Sequence, residues 1–311
     1  MIVSCGEALI DFLPRQVPAD APATFAAFPG GSPFNVAIAI ARLGQPAAFV
    51  GGLSSDLFGE TLRMHLEQSG ADISLTNFSD RPSTLAFVSV VDGNARYAFL
   101  DEGSAGRMLT ENDLPALPKK VAALHFGSFS LAEEPCGSAF EGLMQREKND
   151  RVISLDINVR PTLIKNRDGY LARIDRLAAM ADLIKLSEED LEWLAPSSSF
   201  EALADRLQNR GARIVVLTRG AGGAVALSGM QRTEVPGVPV KVADTIGAGD
   251  TFTAGMLARL SSRQLLTKHA VARLSPAETS DMLAFAARAA AITVSRPGAN
   301  PPWLRELAEP G

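Results

Sequence analysis

The sequence predicts an α/β fold in which helices cover a mostly parallel sheet and a small second β-sheet protrudes from the main body. From residue 122 onward, apolar strands alternate with amphipathic helices, which is typical of right-handed crossovers between parallel strands. Around residue 90, two runs of alternating side chains flank Asp92-Gly93-Asn94, a pattern typical of a β-hairpin. With 311 residues, the chain is long enough for one large domain, and we predict a single domain over residues 1–311.

The first third of the chain predicts short strands around one buried helix. Strands are expected at 2–5 and 8–13, followed by a loop rich in Pro and Ala at 14–29. Ser32 is a favourable N-cap and Pro33 suits the first position of the helix, which Gly44 ends. The other elements predicted here are a strand at 47–50, a helix at 58–69 and hairpin strands at 85–91 and 95–100.

The rest of the chain predicts the parallel sheet and its helices. The predicted strands are at 122–126, 152–156, 183–185 and 214–217, with a late antiparallel pair at 225–227 and 232–235. The predicted helices are at 136–148, 169–180, 200–210, 251–260 and 276–294. Because ligands bind at the carboxyl ends of parallel strands in such sheets, we expect the functional residues there.

The composition excludes several classes of protein. The formal net charge is −5 and no Lys/Arg run is present, which argues against a nucleic-acid binder. The two cysteines are far apart, which favours free buried thiols, and three isolated histidines disfavour a histidine metal site. Glu7 and Asp11 interrupt the apolar N-terminal run, which is wrong for a signal peptide, and Arg288 interrupts the best candidate for a membrane span. We therefore expect a cytoplasmic protein without membrane or nucleic-acid partners.

The nine residues Asp244–Phe252, with the sequence DTIGAGDTF, are the most informative segment. Two glycines and an alanine stand before an acid and a helical run, so their backbone N–H groups are suited to bind an anion at a helix N-terminus. An acid beside a phosphate site is unfavourable for binding alone but suitable for orienting an attacking hydroxyl. The alternative is a glycine-rich turn with Asp250 near a helix N-cap.

Other nucleotide and catalytic motifs are absent from the sequence. The sequence contains no P-loop, and it lacks the Gly-x-Ser-x-Gly segment that is typical of hydrolases. A nucleotide-cofactor oxidoreductase is also disfavoured, because no Gly-x-Gly-x-x-Gly follows the first strand.

Along nearly its whole length the chain resembles the PfkB family of carbohydrate kinases, which includes ribokinase and fructokinase. GEALID, GGSPFN and VGGLSSDLFG resemble the N-terminal signature of the family, DTIGAGDTF matches its C-terminal signature, and TRGAGG resembles its nucleotide loop. The resemblance implies a ribokinase-like three-layer α/β/α fold with a β-sheet lid, formed by residues from about 8–30 and 84–103. GEALID, DINVRP and KLSEEDLEWL are most similar to fructokinases.

The resemblance implies a catalytic role for Asp250, which would orient and deprotonate a primary hydroxyl of the sugar. The backbone of Gly247, Ala248 and Gly249 would form an anion hole for charge on the transferred phosphoryl group. The implied sugar-binding residues are Asp11, Gly31, Asn35 and Arg160. For Asn35 the alternative is a bond to local backbone, and for Arg160 it is a surface salt bridge.

The resemblance also implies sites for ATP and for two cations. The nucleotide would be bound by Lys185, Ser187, Thr218, Gly220 and Gly223, although the last three also suit a plain strand-turn-strand. Asp190 stands where the family usually has Glu, and this shorter carboxylate favours a water-mediated role in organising Mg²⁺. A K⁺ site would use oxygens of Asp244, Ile246, Thr293, Arg296 and Gly298.

These features predict an ATP-dependent sugar kinase, with D-fructose as the first choice of substrate. A 2-keto-3-deoxygluconate kinase or another ribokinase-type sugar kinase would use nearly the same residues. A sugar-sensing regulator without activity is the alternative of another class, although Asp250 and the Gly-Ala-Gly run are both retained. We also expect a homodimer through the lid, because a protruding sheet edge is suited to pairing.

Overall fold

The computed structural model describes residues 1–15, 22–91 and 94–307. The strands in these segments are β1 Ile2–Cys5, β2 Leu9–Pro14, β3 Phe25–Gly30, β4 Ala47–Val50, β5 Gly52–Ser54, β6 Asn77–Ser79, β7 Thr84–Val91, β8 Asn94–Leu100, β9 Ala123–Gly127, β10 Val152–Asp156, β11 Leu183–Ser187, β12 Ile214–Thr218, β13 Ala224–Ser228 and β14 Gln231–Val235. The helices are α1 Ser32–Arg42, α2 Leu57–Gln68, α3 Cys136–Glu147, α4 Arg167–Ala178, α5 Glu188–Leu194, α6 Phe200–Arg210, α7 Ala248–Ser262, α8 Lys268–Val271 and α9 Pro276–Val294.

The central sheet has eight strands in the order β14-β13-β12-β11-β10-β9-β1-β4. The pairs from β4 to β12 are parallel, and β13 and β14 add an antiparallel edge. This arrangement confirms the predicted α/β fold. Strands covered on both faces need apolar side chains on both, which is why β1, β9, β10 and β12 are nearly continuous apolar runs.

Helices cover both faces of this sheet and give the chain its three layers. One apolar cluster contains Val215 together with side chains of α3, α4 and α6, including Phe140 and Leu207. The other contains Val216 together with side chains of α1, α7 and α9, including Leu257. Val215 and Val216 are neighbours in β12, and because successive side chains of a strand point to opposite faces, they pack in the two different layers. The face covered by α1 and α7 also carries the site described below.

A smaller sheet, which we call the lid, has the strand order β3-β2-β7-β8. β3 overlaps the segment 14–29 that was expected to be a loop, so that expectation was wrong for residues 25–29. Its composition, FAAFPG, lacks β-branched residues, but β3 is an edge strand paired with β2, where Pro29 is tolerated. The hairpin strands β7 and β8 are confirmed, whereas Asp92 and Gly93 of the expected turn lie outside the described residues.

Phe12, Phe25 and Phe87 of the lid form an aromatic cluster with Phe58 of α2, and the stacked rings of Phe12 and Phe87 have centroids 4.6 Å apart. These contacts attach the lid to the body. Within the described segments, no helix is both long and apolar enough to cross a membrane.

Candidate active site

The segment Asp244–Phe252 leads into α7 through a left-handed residue, Gly247, with φ of 75°. A Cβ at this position would lie 2.7 Å from the Cβ of Ala299, so both the conformation and the space require glycine. The sequence predicted that α7 begins at Thr251, whereas α7 begins at Ala248. The Gly-Ala-Gly run therefore forms its start. The N–H of Ala248 donates to the Thr245 carbonyl over 3.3 Å and that of Thr251 to the Gly247 carbonyl over 2.9 Å. The N–H groups between them, of Gly249 and Asp250, lie in the first helical turn, where an anion is the natural acceptor.

Asp250 lies in this first turn of α7 and is only 8% exposed. Its Oδ1 accepts a hydrogen bond of 2.6 Å from the Ser32 hydroxyl, and its Oδ2 accepts one of 2.8 Å from the Asn35 amide. Burial raises the pKa of Asp250, while these two hydrogen bonds oppose the rise. Asp156 adds to the rise in pKa and Lys185 opposes it. The result is a buried carboxylate held by two donors from α1.

A buried ion pair lies beside Asp250. The ammonium of Lys185 donates to Asp156 Oδ2 over 2.7 Å, and the Thr253 hydroxyl donates to the same oxygen over 3.0 Å. Burial alone would lower the pKa of Lys185, but carboxylates, Asp156 first, raise it above its ordinary value. A Cβ built on Gly249 would lie 3.3 Å from the Lys185 Nζ. A charged ammonium therefore borders the Gly-Ala-Gly backbone.

On the lid side of the site, Asp11 lies in β2. Burial raises the pKa of Asp11 to about 6, with Arg160 opposing the rise and Asp250 adding to it. A Cβ on Gly30 would lie 2.4 Å from Asp11 Oδ2, so this glycine leaves room for the carboxylate. Of the predicted sugar-binding residues, Asn35 thus contacts Asp250 directly, and the charges of Arg160 and Asp250 act on the pKa of Asp11.

Gly31 and Arg160 have local roles that the sequence did not reveal. A Cβ on Gly31, with φ of 105°, would lie 2.7 Å from the carbonyl oxygen of Glu7, so backbone packing requires this glycine. Arg160 is exposed and donates over 2.6 Å to Asn158 Oδ1 and over 3.0 Å to the Val159 carbonyl. These bonds hold its guanidinium at the end of β10.

The predicted nucleotide residues lie in the last residues of the adjacent strands β11 and β12 or just after β12, at the carboxyl ends of these strands. Gly220 begins a single 3₁₀ turn after β12, and Gly223, with φ of 86°, follows it. A Cβ on Gly223 would lie 2.1 Å from the Val235 carbonyl oxygen. Thr218 donates to the Leu186 carbonyl over 3.4 Å, which joins the ends of β11 and β12. The structure thus places these residues along one edge of the sheet.

Ser187 and Asp190 form a capping box at the beginning of α5. The Asp190 Oδ2 accepts from the N–H and hydroxyl of Ser187, each over 2.8 Å, and Oδ1 accepts from the Val159 N–H over 2.7 Å. Both oxygens of this buried carboxylate are therefore engaged by the protein. This engagement favours a role for Asp190 in holding the loop after β10 over direct ligation of a metal.

The two segments predicted to hold a monovalent cation are adjacent. The N–H of Gly298 donates to Asp244 Oδ2 over 2.9 Å, and the N–H of Ile246 donates to Asp244 Oδ1 over 3.0 Å. Thr293 turns its hydroxyl inward to Thr251, so only its carbonyl is suited to a cation. Across the described part of the chain, no group of three His, Cys, Asp or Glu side chains is arranged to hold a metal ion.

Four buried residues of the site were not identified from the sequence as functional: Glu7, Ser32, Asp156 and Thr253. Ser32 was expected to be an N-cap, but it is the first residue of α1 and its hydroxyl contacts Asp250 instead of capping the helix. The available signal was the position of Glu7 between two apolar strands and of Asp156 at the end of another, because a buried charge needs a polar partner.

Comparison with known proteins identifies the family and the fold of the chain. The model of the pfkB family of carbohydrate kinases matches residues 1–306. A fructokinase of Rhizobium leguminosarum bv. trifolii is 50% identical over 274 residues, which are 88% of this chain and 84% of that protein.

Two solved fructokinases have the same fold. The ATP-bound fructokinase of Xylella fastidiosa superposes with a TM-score of 0.90 at 30% identity, covering 98% of this chain and 96% of that one. The fructokinase of Vibrio cholerae O395, bound to fructose, ADP and calcium, gives a TM-score of 0.82 at 29% identity, covering 96% of this chain and 94% of that one. A double mutant of that enzyme, also with a TM-score of 0.82 and 29% identity, has fructose, ADP and a potassium ion bound; the match covers 96% of this chain and 93% of the mutant.

Proposed function

The chain belongs to the pfkB family of carbohydrate kinases, and from this premise we propose that it transfers the γ-phosphoryl group of ATP to the 6-hydroxyl of D-fructose. The observation that carries the proposal is the position of Asp250, which lies buried in the first turn of α7, next to the Gly-Ala-Gly backbone. Such a carboxylate is suited to accept a proton from an attacking hydroxyl while the helix N-terminus binds phosphate oxygens.

In the proposed reaction the oxygen of the sugar hydroxyl forms a bond to the γ-phosphorus. The bond from this phosphorus to the bridging oxygen of ADP breaks, and Asp250 accepts the hydroxyl proton. An aspartate is a weak base even when its pKa is raised, so the proton moves late, as the loose transition state forms. The main contribution of Asp250 is then to aim the hydroxyl at the phosphorus.

The transferred phosphoryl group would be stabilised by the backbone N–H groups of the Gly-Ala-Gly run and by Lys185. Removing one preorganised donor of this kind from a site without water costs about 3–4 kcal/mol of transition-state stabilisation. Lys185 is suited to this role because its pKa is raised, so it is protonated at neutral pH. Arg160, at the end of β10, would bind the sugar or the γ-phosphate.

We propose that Mg²⁺ binds with the nucleotide and neutralises charge on its phosphates. The chain fits such an ion through carboxylates: Asp156 Oδ1 is buried and has no hydrogen-bond partner among the described residues. A water bound to the cation suits this oxygen. Asp190 would act indirectly, since both its oxygens are already engaged.

We propose a K⁺ site where the segment 244–246 lies against 293–298. The Asp244 carboxylate joins the two segments by accepting from the N–H groups of Ile246 and Gly298. The carbonyl groups of Ile246, Thr293, Arg296 and Gly298 belong to the same two segments. Carboxylate and carbonyl oxygens suit a hard cation. A cation there would hold the loop before Gly247, and with it the start of α7.

The charges at the sugar side favour a neutral sugar over a sugar acid. Asp11 and Asp250 each raise the cost of placing another anion between them, and Arg160 is the counter-charge that acts on Asp11. A sugar acid such as 2-keto-3-deoxygluconate would add a carboxylate to this environment. Fructose brings no charge, in agreement with the substrates named for the related fructokinases.

The test is ATP-dependent phosphorylation of a panel containing fructose, ribose, 2-keto-3-deoxygluconate and glucose, for the wild type and for Asp250→Asn. We expect fructose to have the highest kcat/KM. The variant should bind fructose and ATP normally and lose most of kcat. Preference for another sugar would overturn the substrate, whereas near-wild-type turnover by Asp250→Asn would overturn the mechanism.

We also propose that the protein forms a homodimer through the lid. The described part of the lid exposes Phe25 and Phe28, each 39% exposed, and Leu100, 60% exposed, and such apolar groups favour burial against a second copy. Sedimentation equilibrium of the wild type and of Leu100→Glu measures the association. A monomeric wild type would contradict this proposal.

A further inference from the structure

Ser32 donates two hydrogen bonds to buried carboxylates of the site. Its hydroxyl donates to Asp250 Oδ1 over 2.6 Å, and its backbone N–H donates to Glu7 Oε1 over 3.2 Å. The second oxygen of Glu7 accepts from the N–H of Ser130 over 3.3 Å. Glu7 is 4% exposed, so it anchors the start of α1 from the interior of the protein.

The first turn of α1 has one further anchor, which does not involve Asp250. The hydroxyl of Ser4, in β1, donates to the carbonyl of Pro33 over 2.7 Å, and Ser4 is fully buried. Ser4 and Ser32 therefore each donate a buried hydrogen bond from their hydroxyl group. Ser4 donates to the first turn of α1, and Ser32 donates from it. They differ in that only the bond from Ser32 reaches the carboxylate.

The two oxygens of Asp250 have different partners. Oδ2 is bonded to Asn35, whose amide has a second hydrogen that is free to contact a sugar. Oδ1 is bonded to Ser32, which is 6% exposed and is not among the proposed sugar-binding residues. The sugar hydroxyl is thus expected at Oδ2, while Oδ1 is held from within the protein.

We propose that Ser32 is a positioning residue, held by Glu7, which fixes the plane of the Asp250 carboxylate and keeps it ionised. The inference rests on the proposed role of Asp250 as the base. A hydroxyl that donates to a carboxylate stabilises the charged form, and Ser32 is only 6% exposed, so its removal takes away a donor that the protein itself supplies to Oδ1. Loss of the hydroxyl therefore leaves the carboxylate both free to rotate and easier to protonate.

Several other groups act on Asp250 and stay unchanged in a Ser32 variant. Asp156 of β10 favours its protonated form, whereas Lys185 of β11 and Asn35 of α1 favour its charged form. Asp11, on the lid, is a further carboxylate whose charge interacts with it. With these groups constant, Ser32→Ala moves the pKa of Asp250 upward.

The experiment compares Ser32→Ala with Ser32→Thr, which retains the hydroxyl, and with Ser4→Ala, which removes the matched bond. For Ser32→Ala we expect kcat to fall by about tenfold, with KM for fructose nearly unchanged, because a hydrogen bond to a buried charge is lost while Asn35 remains. The acid limb of the kcat–pH profile should move to higher pH. Ser32→Thr should restore both quantities, and Ser4→Ala should leave the profile in place.

A second measurement does not depend on turnover. The pKa of the Asp250 carboxyl is determined by carbon NMR in protein labelled at the aspartate carboxyl groups, with the signal assigned through Asp250→Asn. We expect a higher pKa in Ser32→Ala than in the wild type and in Ser4→Ala. An unchanged pKa in Ser32→Ala would overturn the positioning role, as would equal losses of kcat in the two alanine variants with unmoved profiles. If no sugar is phosphorylated by the wild type, the proposed function fails, and the NMR comparison still decides the role of Ser32.

Discussion

The buried ion pair between Lys185 and Asp156 allows stability and catalysis to be separated by substitution. The two charged atoms are 2.7 Å apart, and the side chains are 5% and 0% exposed. Removing one charge leaves the other buried without compensation, which costs about 3–5 kcal/mol. We therefore expect Lys185→Met, which retains the length of the side chain, to lower the free energy of unfolding by about 3–5 kcal/mol. Urea-induced unfolding followed by circular dichroism measures this change.

The double variant Lys185→Met/Asp156→Asn removes both charges and keeps an acceptor for the Thr253 hydroxyl. Because no unpaired charge remains buried, we expect it to recover most of the lost stability. Turnover should not recover, because no ammonium then borders Gly249. The loss in kcat should remain about 10²–10³-fold in both variants, the effect typical of losing one electrostatic contact to the transition state. The comparison requires kcat to be measured with ATP and fructose at saturation.

Two results would refute this reasoning. A loss of less than about 1 kcal/mol in Lys185→Met would show that the charge of Asp156 is compensated by other groups or by water. Recovery of both stability and kcat in the double variant would show that Lys185 acts on turnover only by maintaining the fold. Asp156→Asn alone is the matched control, because it leaves Lys185 as the unpaired charge and should be destabilised as well.

Two further predictions concern the lid and the helix that carries Asp250. Because the pKa of Asp11 is raised to about 6, kcat/KM for fructose should fall as the pH drops through that value and Asp11 is protonated. This inflection of the pH profile should be absent in Asp11→Asn. An inflection that persists in the variant would exclude Asp11 as its cause. Gly255→Ala should destabilise the protein by about 1–3 kcal/mol, because its Cβ would lie 2.7 Å from the Ala286 Cα of α9. Gly142→Ala, in α3, would have its nearest neighbour at 3.5 Å and should gain about 0.4–1 kcal/mol; urea unfolding that gives both variants the same sign would contradict the packing argument.

Motifs local in the chain could be predicted from the sequence, because one short segment specifies their geometry. The individual strands of the α/β body, the hairpin strands and the glycine turn before α7 follow from alternation, turn residues and glycines within a few positions, although α7 begins at Ala248 and not at the predicted Thr251. The β3 strand could not be predicted in the same way. Its residues have little intrinsic preference for a strand, and its conformation depends on pairing with β2.

Contacts between distant segments explain what sequence analysis missed in the site. Ser32 and Asp250 are separated by 218 positions, and Asp156 and Thr253 by 97. No local pattern specifies which hydroxyl reaches which carboxylate. No local pattern predicts the contact of Asp190 either. The Val159 N–H, in the loop after β10, donates to Asp190 of α5 and so engages an oxygen that was expected to make a water-mediated contact.

The proposed base and the proposed sugar-binding carboxylate belong to different parts of the fold. Asp250 and both of its hydrogen-bond donors lie on α7 and α1, whereas Asp11 lies on β2 of the lid. The base is therefore aligned without help from the lid, and a water molecule that reached it would be a competing acceptor of the phosphoryl group. Alignment of the base alone cannot distinguish water from sugar. We infer that this discrimination depends on contacts of the sugar with the lid, and that Asn35, which donates to Asp250 and is proposed to bind the sugar, connects the two parts.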